Sequence, residues 1–178
     1  MSRAVASVTV AVLTWNGRQH LEVLLPALAA QRDPGGEWHV LLLDNGSADG
    51  TADWIREVWD ERHGLDLRLV RSDVNLGFCG GTERLVEIAE GDAVVLLNND
   101  TRPQPDWLAV LVDALRTAPA DVAAVSGAIV DWSGERLDFA RGLLTFDGHA
   151  FQEGFGRPLE TFTMPAAGPS CTSPAAAT

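Results

Sequence analysis

The chain has 178 residues, a hydrophobic share of 46%, a charged share of 21% and a formal net charge of −12. This length and composition are typical of one soluble globular domain with a substantial core. The negative charge argues against a protein that binds nucleic-acid phosphates through a basic face. Every apolar run is shorter than the roughly 20 residues of a membrane span. With Cys79 and Cys171 far apart and no recognisable signal peptide, we expect a cytoplasmic protein, or one that is peripheral at the inner membrane.

Apolar runs alternate with helical patterns from the first strand onward. Short runs rich in Val, Leu and Ala predict strands at 5–13, 40–43, 67–70, 93–97 and 122–127. Apolar residues at helical spacing predict helices near 21–28, 51–61, 82–90 and 107–115. Because each connection can hold a helix, the pattern predicts an α/β fold, with a mainly parallel sheet and helices on both faces.

The alternation weakens from about Val130. Glycine-containing turns such as Phe146-Asp147-Gly148 indicate hairpins or an open loop region there. Residues 164–178 are mostly Ala, Pro, Ser, Thr and Gly, with little to bury. We therefore expect one domain at 1–163, followed at 164–178 by a flexible tail or the end of a truncated chain.

Polar clusters follow the predicted strands, where an open parallel sheet binds its ligands. The four clusters are Thr14-Trp15-Asn16, Asp44-Asn45-Gly46-Ser47, Asn75-Leu76-Gly77 and Asn98-Asn99-Asp100. Taken singly, each cluster is also explained by turn or helix-cap chemistry. Trp15 is either a core residue or a wall beside a ligand. The glycines form neither GxGxxG nor GxxxxGK[ST], so a dinucleotide or P-loop site is not predicted.

The fourth cluster has the chemistry of a hard-cation site. A carboxylate flanked by amides at a strand end suits Mg²⁺ or Mn²⁺, which take their remaining ligands from water and a diphosphate. Zinc does not fit, because the four histidines are scattered and no cysteine lies nearby. We therefore predict a divalent cation at Asp100, with Asn98 as a weaker ligand.

Together these segments resemble a known family. The stretches VAVLTWNGRQHLEVLLPAL, VLLLDNGSADGT, VNLGFCGGTERLVEIAEGDAVVLLNNDT and PDWLAVLVDAL are similar to the inverting family-2 glycosyltransferases with the GT-A fold. The rhamnosyltransferase-like bacterial members look most similar. The resemblance runs from about Ala4 to Gly127 and more weakly to about Pro158. It implies transfer of a sugar from a UDP- or dTDP-linked donor to a hydroxyl of a glycan, a lipid-linked or a small-molecule acceptor.

The resemblance also implies roles for the polar clusters. Asp44 would accept a hydrogen bond from the pyrimidine base, with Asn45 and Ser47 beside it. Asn98-Asn99-Asp100 would be the DxD-type motif, whose carboxylate binds Mg²⁺ or Mn²⁺. The other residues expected to line the nucleotide-sugar pocket are Thr14, Trp15, Asn16, Asn75 and Gly77.

The chain also departs from the family pattern. Thr82 stands where an Asn is usual, and no Glu-Asp-type segment that would supply the catalytic base is present, so the base stays unknown. The remaining carboxylates of that region are Asp131, Asp138, Asp147 and Glu153. A non-catalytic nucleotide-sugar-binding or partner-binding module is therefore the alternative, whereas a nucleotidyltransferase would need a glycine-rich basic loop after the first strand. An uncovered acceptor side predicts a homo-oligomer or a partner chain.

Overall fold

The computed structural model describes residues 3–59, 64–145 and 147–163. The chain divides into two compact units, one ending at Ala124 and the other beginning at Val125. The tail predicted at 164–178 lies outside the described residues.

The first unit is built on a four-stranded sheet, whose parallel arrangement is the one that the sequence predicts. Its strands are β1 (Ser7–Thr14), β2 (Glu37–Asp44), β3 (Leu67–Arg71) and β4 (Ala93–Asn98). They lie in the order β3-β2-β1-β4, and every pairing is parallel. The chain leaves β1 on one side and returns to it on the other, so the strand order reverses between β1 and β4. Ligands bind beside such a reversal.

Helices cover both faces of this sheet, which confirms the predicted arrangement. They are α1 (Arg18–Ala29), α2 (Thr51–Val58), α3 (Gly77–Ile88) and α4 (Trp107–Thr117). Alternate residues of a strand point to opposite faces. Val10 and Val12 of β1 accordingly pack with α1, α2 and α4, whereas Ala11 packs with Leu85 of α3. Burial on both faces explains why β1 contains an uninterrupted apolar run from Val10 to Leu13.

Helix α3 begins at Gly77, five residues before the predicted start at 82. Glycine is a poor helix former, so helix propensity alone places the start of this helix after Gly80 and Gly81. The packing explains Gly81, because a Cβ on this residue would lie 2.6 Å from Leu13 Cδ1. Glycine there lets the first turns of α3 approach β1 closely.

The fifth strand predicted at 122–127 is wrong, because residues 122–128 form no strand. A strand needs a neighbour for its backbone groups. The Val122 N–H instead donates to Pro119 O in a turn, and Arg3 Nη2 donates to Val122 O at 2.9 Å. At Val122, a turn contact and a side-chain contact thus take the backbone bonds that a strand would have used.

At the amino ends of the strands, Arg116 of α4 ties two loops together. Its guanidinium donates to Val5 O at 2.6 Å, to Pro34 O at 2.8 Å and to Gly35 O at 3.0 Å. Val5 precedes β1, and Pro34 and Gly35 precede β2. Charged donors make strong bonds to carbonyls, so Arg116 holds together the segments that precede the two strands.

The second unit consists of short antiparallel pairs, as expected for a hairpin region. Its elements are β5 (Ile129–Val130), β6 (Leu137–Phe139), β7 (Arg141–Leu144), β8 (Ala150–Glu153) and a 3₁₀ turn at Leu159–Thr161. β5 pairs with β6 and β7 pairs with β8. Leu137 and Phe139 are its buried apolar residues among those described.

None of the helices within the described ranges combines the length and the apolarity needed to cross a bilayer.

Candidate functional site

The strand register brings the predicted polar clusters to one rim. Thr14 pairs with Asp44, Asp44 pairs with Arg71, and Leu13 pairs with Asn98. All of these residues lie at the carboxyl ends of parallel strands. The clusters after β1, β2 and β4 are therefore neighbours in space.

Asn16 and Ser47 join the loops that follow β1 and β2. Ser47 Oγ accepts a hydrogen bond from Asn16 N at 2.8 Å, and Asn16 Oδ1 accepts one from Ala48 N at 2.9 Å. Asn16 has a positive φ of 49°, a conformation that Asn tolerates better than most residues. Asn16 thus links the two loops through its backbone N–H and through its side-chain oxygen.

Asn45 holds the third predicted cluster in the same way. Its Oδ1 accepts from Leu76 N at 2.9 Å, and its Nδ2 donates to Asn75 Oδ1 at 3.0 Å and to Gly77 O at 3.1 Å. Asn75 Oδ1 also accepts from Gly77 N at 2.8 Å. The amide of Asn45, which is 2% exposed, therefore anchors the segment leading into α3.

Asp44 is fully buried, and one of its carboxylate oxygens lacks a hydrogen-bond donor. Oδ1 accepts from Ser47 N at 3.0 Å, whereas Oδ2 has no hydrogen-bond partner. Arg71 Nε lies 3.6 Å from Oδ2, within ion-pair range but too far for a hydrogen bond. A buried carboxylate oxygen without a donor is costly, so Oδ2 is suited to accept a bond from a ligand.

Arg71 belongs to this site although the sequence analysis did not single it out. Its Nη2 donates to Ser47 O at 3.1 Å, next to the Asp44 carboxylate. The available signal was its place directly after the strand predicted at 67–70, at the same rim as the polar clusters. A lone Arg at a strand end is common, however, and carries no motif.

The cluster after β4 forms a pinned turn. Thr101 Oγ1 donates to Asn98 O at 2.8 Å, and Asn99 Nδ2 donates to Thr14 Oγ1 at 3.0 Å. Asp100 Oδ1 is buried and has no hydrogen-bond partner. The turn thus contains a second carboxylate oxygen that has no donor.

The donor chemistry at Asp100 fits a hard divalent cation. Its carboxylate oxygen and the nearby amide are oxygen ligands of the kind that Mg²⁺ and Mn²⁺ prefer. In the part of the chain that the structure describes, no three His, Cys, Asp or Glu side chains are grouped for metal binding. A cation here would therefore draw its other ligands from water and from a bound molecule.

Aromatic side chains stand exposed near these clusters. Trp15 is 56% exposed, which excludes the core alternative for this residue. Phe78, in the first turn of α3, is 52% exposed and was missed by the sequence analysis. Exposed aromatic faces can stack on a planar ligand.

In the second unit, three of the four candidate carboxylates have local partners. Asp131 accepts from the backbone N–H groups of Arg136 and Glu135 and from Ser133, and these bonds hold its pKa below the usual value. Bonds from Thr145 and His149 lower the pKa of Asp147. Glu153 pairs with Arg141 at 2.9 Å.

A cavity of about 640 Å³ also lies in the second unit. It is lined by Gly134, Glu135, Arg136, Pro158, Leu159 and Glu160. None of these is among the predicted site residues, so this cavity is not the candidate site.

The comparison with known families agrees with the geometry of the first unit. The family model described as Glycosyl transferase family 2 matches residues 9–174. The chain therefore belongs to glycosyl transferase family 2.

Similar proteins support the same class. Glycosyltransferase AglE of Haloferax volcanii is 25% identical over 139 residues, which are 78% of this chain and 42% of AglE. This chain therefore spans less than half the length of that relative.

Solved structures confirm the GT-A fold. The mannosyltransferase PcManGT from Pyrobaculum calidifontis, in complex with GDP-Man and Mn²⁺, is 28% identical with a TM-score of 0.56, over 65% of this chain and 33% of that one. S. aureus TarS 1–349, in complex with UDP, is 26% identical with a TM-score of 0.51, over 61% of this chain and 32% of that one.

Proposed function

We propose that this chain is the donor-binding part of a metal-dependent, inverting glycosyltransferase that uses a UDP- or dTDP-linked sugar. The observation that carries the proposal is the pair of buried carboxylate oxygens without hydrogen-bond donors, Asp44 Oδ2 and Asp100 Oδ1. Asp44 ends β2 and Asp100 follows β4, the two strands that flank β1, so both lie at the edge of the sheet where ligands of such sheets bind. Asp44 Oδ2 is suited to accept a hydrogen bond from an N–H of the base, and Asp100 Oδ1 is suited to bind a cation.

Asp44 is the residue proposed to read the nucleobase. Uracil and thymine each present an N3–H donor between two carbonyl oxygens. Asp44 Oδ2 can accept a hydrogen bond from that N–H. The Arg71 guanidinium lies 3.6 Å from the same oxygen, so it could donate to a carbonyl oxygen of the base. Trp15, exposed at the rim, offers a face for the base or ribose.

Asp100 and Asn98 are proposed to hold Mg²⁺ or Mn²⁺ against the diphosphate. When bound, the cation would neutralise the negative charge that builds on the departing diphosphate. Asn16, Asn45, Ser47, Asn75 and Gly77 shape the pocket through the hydrogen bonds described above. Mn²⁺ and a nucleotide sugar occur together in the PcManGT complex, which supports this proposal.

The acceptor is proposed to attack the anomeric carbon from the face opposite the diphosphate, which inverts that carbon. An acceptor hydroxyl must lose its proton to a general base. None of the candidate carboxylates is assigned that role. We propose a rhamnosyl or related hexosyl group as the transferred sugar and a glycan, lipid-linked or small-molecule acceptor, with a second copy or a partner chain covering the acceptor side.

The alternative is a module that binds the nucleotide sugar without turning it over. The local partners of Asp131, Asp147 and Glu153 favour it, because these carboxylates are engaged elsewhere. Consumption of donor in the presence of an acceptor supports the enzyme. Donor binding without consumption across a panel of acceptors supports the module.

The proposed donor site is tested by calorimetric titration of the 178-residue chain with UDP and dTDP, with and without Mn²⁺. We expect Mn²⁺ to strengthen binding, and Asp100→Ala to weaken binding with Mn²⁺ at least tenfold, about 1.4 kcal/mol. Asp113→Ala, which removes the same charge from an exposed position on α4, is the matched control and should bind as the wild type. Equal affinity with and without metal, or equal affinity in Asp100→Ala, would contradict the role of Asp100.

A further inference from the structure

One side-chain bond joins the two strand ends on either side of the strand-order reversal. Asn99, which directly precedes Asp100, donates from Nδ2 to Thr14 Oγ1 at 3.0 Å. Thr14 is the last residue of β1 and is only 1% exposed. This contact, here named the Thr14–Asn99 bridge, is therefore made beneath the rim.

Gly17 leaves the space that the bridge requires. A Cβ on Gly17 would lie 2.5 Å from Thr14 Oγ1 and closer still to Asn99 Nδ2. Gly17 has a φ of −117°, which any residue can adopt, so glycine is needed here for space rather than for backbone conformation. The start of α1 therefore packs directly on the bridge.

Asp100 lies between two pinned neighbours. Asn99 is held by the bridge on one side, and Thr101 bonds Asn98 O at 2.8 Å across the turn on the other. Asp100 Oδ1 has no hydrogen bond of its own to set its direction. The position of this carboxylate is therefore set largely by the residues around it.

We infer that Thr14 and Asn99, which the sequence analysis expected at the nucleotide-sugar pocket, are instead positioning residues that hold Asp100 in place for the cation. They act through the Thr14–Asn99 bridge and not through contact with the nucleotide. The inference rests on the proposed function. A carboxylate already held in its binding position loses little freedom when a cation arrives, so binding is stronger. Loss of the bridge would leave Asp100 present but free to move.

The test compares four substitutions in the 178-residue chain by calorimetry with UDP, with and without Mn²⁺. Thr14→Val and Asn99→Ala remove the bridge, and Gly17→Ala displaces it, whereas Thr14→Ser keeps the hydroxyl. We expect the first three to weaken UDP binding with Mn²⁺ about fivefold, the usual effect of one neutral hydrogen bond. UDP binding without Mn²⁺ should not change, and Thr14→Ser should bind as the wild type. Melting curves establish that each variant is folded.

A double-mutant cycle separates positioning from direct contact. Adding Thr14→Val to Asp100→Ala should cause no further loss, because the bridge acts only through the missing carboxylate. A further loss in the double variant, or an equal loss with and without Mn²⁺, would overturn the inference, as would Thr14→Val and Asn99→Ala binding like the wild type. If Asp100→Ala itself leaves binding unchanged, the proposed function has failed, whatever the bridge does.

Discussion

Arg71 Nε lies 3.6 Å from Asp44 Oδ2, and Arg71 Nη2 donates to the carbonyl of Ser47 at 3.1 Å. The Arg71 guanidinium thus lies beside a carboxylate oxygen that accepts no hydrogen bond, at the carboxyl end of the sheet. Asp44 Oδ1 already accepts from Ser47 N, whereas Oδ2 accepts no hydrogen bond, so Oδ2 is the oxygen better placed to accept one from a ligand. This arrangement makes the choice of nucleobase testable.

Asp44→Asn should change which pyrimidine is bound. The Asn oxygen would keep the bond from Ser47 N, which places the NH₂ group where Oδ2 was. That group donates, so it would oppose the N3–H of uracil and match the N3 acceptor of cytosine. We expect UDP binding to weaken at least tenfold and CDP binding to strengthen, measured by calorimetry with Mn²⁺. An unchanged ratio of UDP to CDP affinity in the variant would show that Asp44 does not contact the base.

Two neighbouring glycines of α3 should respond to alanine in opposite directions. A Cβ on Gly81 would lie 2.6 Å and 2.9 Å from the two Leu13 methyl groups, so Gly81→Ala should lower the free energy of unfolding by about 1–3 kcal/mol. At Gly80 the nearest atom is Leu76 Cβ at 3.4 Å, and Gly80→Ala should raise it by up to about 1 kcal/mol. Urea denaturation measures both variants. Equal effects at the two positions would contradict the close approach of α3 to β1.

His39 should make the fold less stable in mild acid. It lies on β2 with Nε2 3.1 Å from Thr9 Oγ1, and burial, followed by the charge of Arg68, lowers its pKa despite the opposing charges of Asp66 and Glu90. The unfolded chain then binds more protons than the folded chain, so the contribution of His39 is complete above its ordinary pKa of 6.5 and decreases as the pH falls towards the lower folded value.

His39→Gln removes this titration while keeping a side chain that can bond Thr9. Urea denaturation at about pH 7.5 and about pH 5.5 should show a smaller loss of stability in the variant than in the wild type. Both pH values lie above the range where most carboxylates titrate. An identical loss in the two proteins would mean that His39 protonation is not linked to folding.

Much of the first unit follows from its sequence because β1 and β2 are buried on both faces. Continuous runs such as Val40 to Leu43 admit few other structures, and the polar residues after them mark the strand ends. The start of α3 was misplaced because glycine propensity ignores the packing of Gly81 on Leu13. A predicted strand at 122–127 failed because it has no hydrogen-bonded neighbour there.

The site was harder to derive than the fold. The four polar clusters were found from their position after strands, but the contacts among them depend on strand register. Asn99 and Thr14 are 85 positions apart, and the bond between them follows from how β4 pairs with β1. Arg71 was missed because a single basic residue at a strand end resembles many surface arginines.

The carbonyl contacts of Arg116 lie at the amino ends of the strands, opposite the rim where the nucleotide sugar is proposed to bind. The thermal stability of the first unit and its preference for a donor can therefore be changed by separate sets of substitutions. Substitutions near the Arg116 contacts could raise the melting temperature without changing the residues of the proposed donor site. Conversely, substitutions at the carboxyl ends of the strands could change donor preference with little effect on folding.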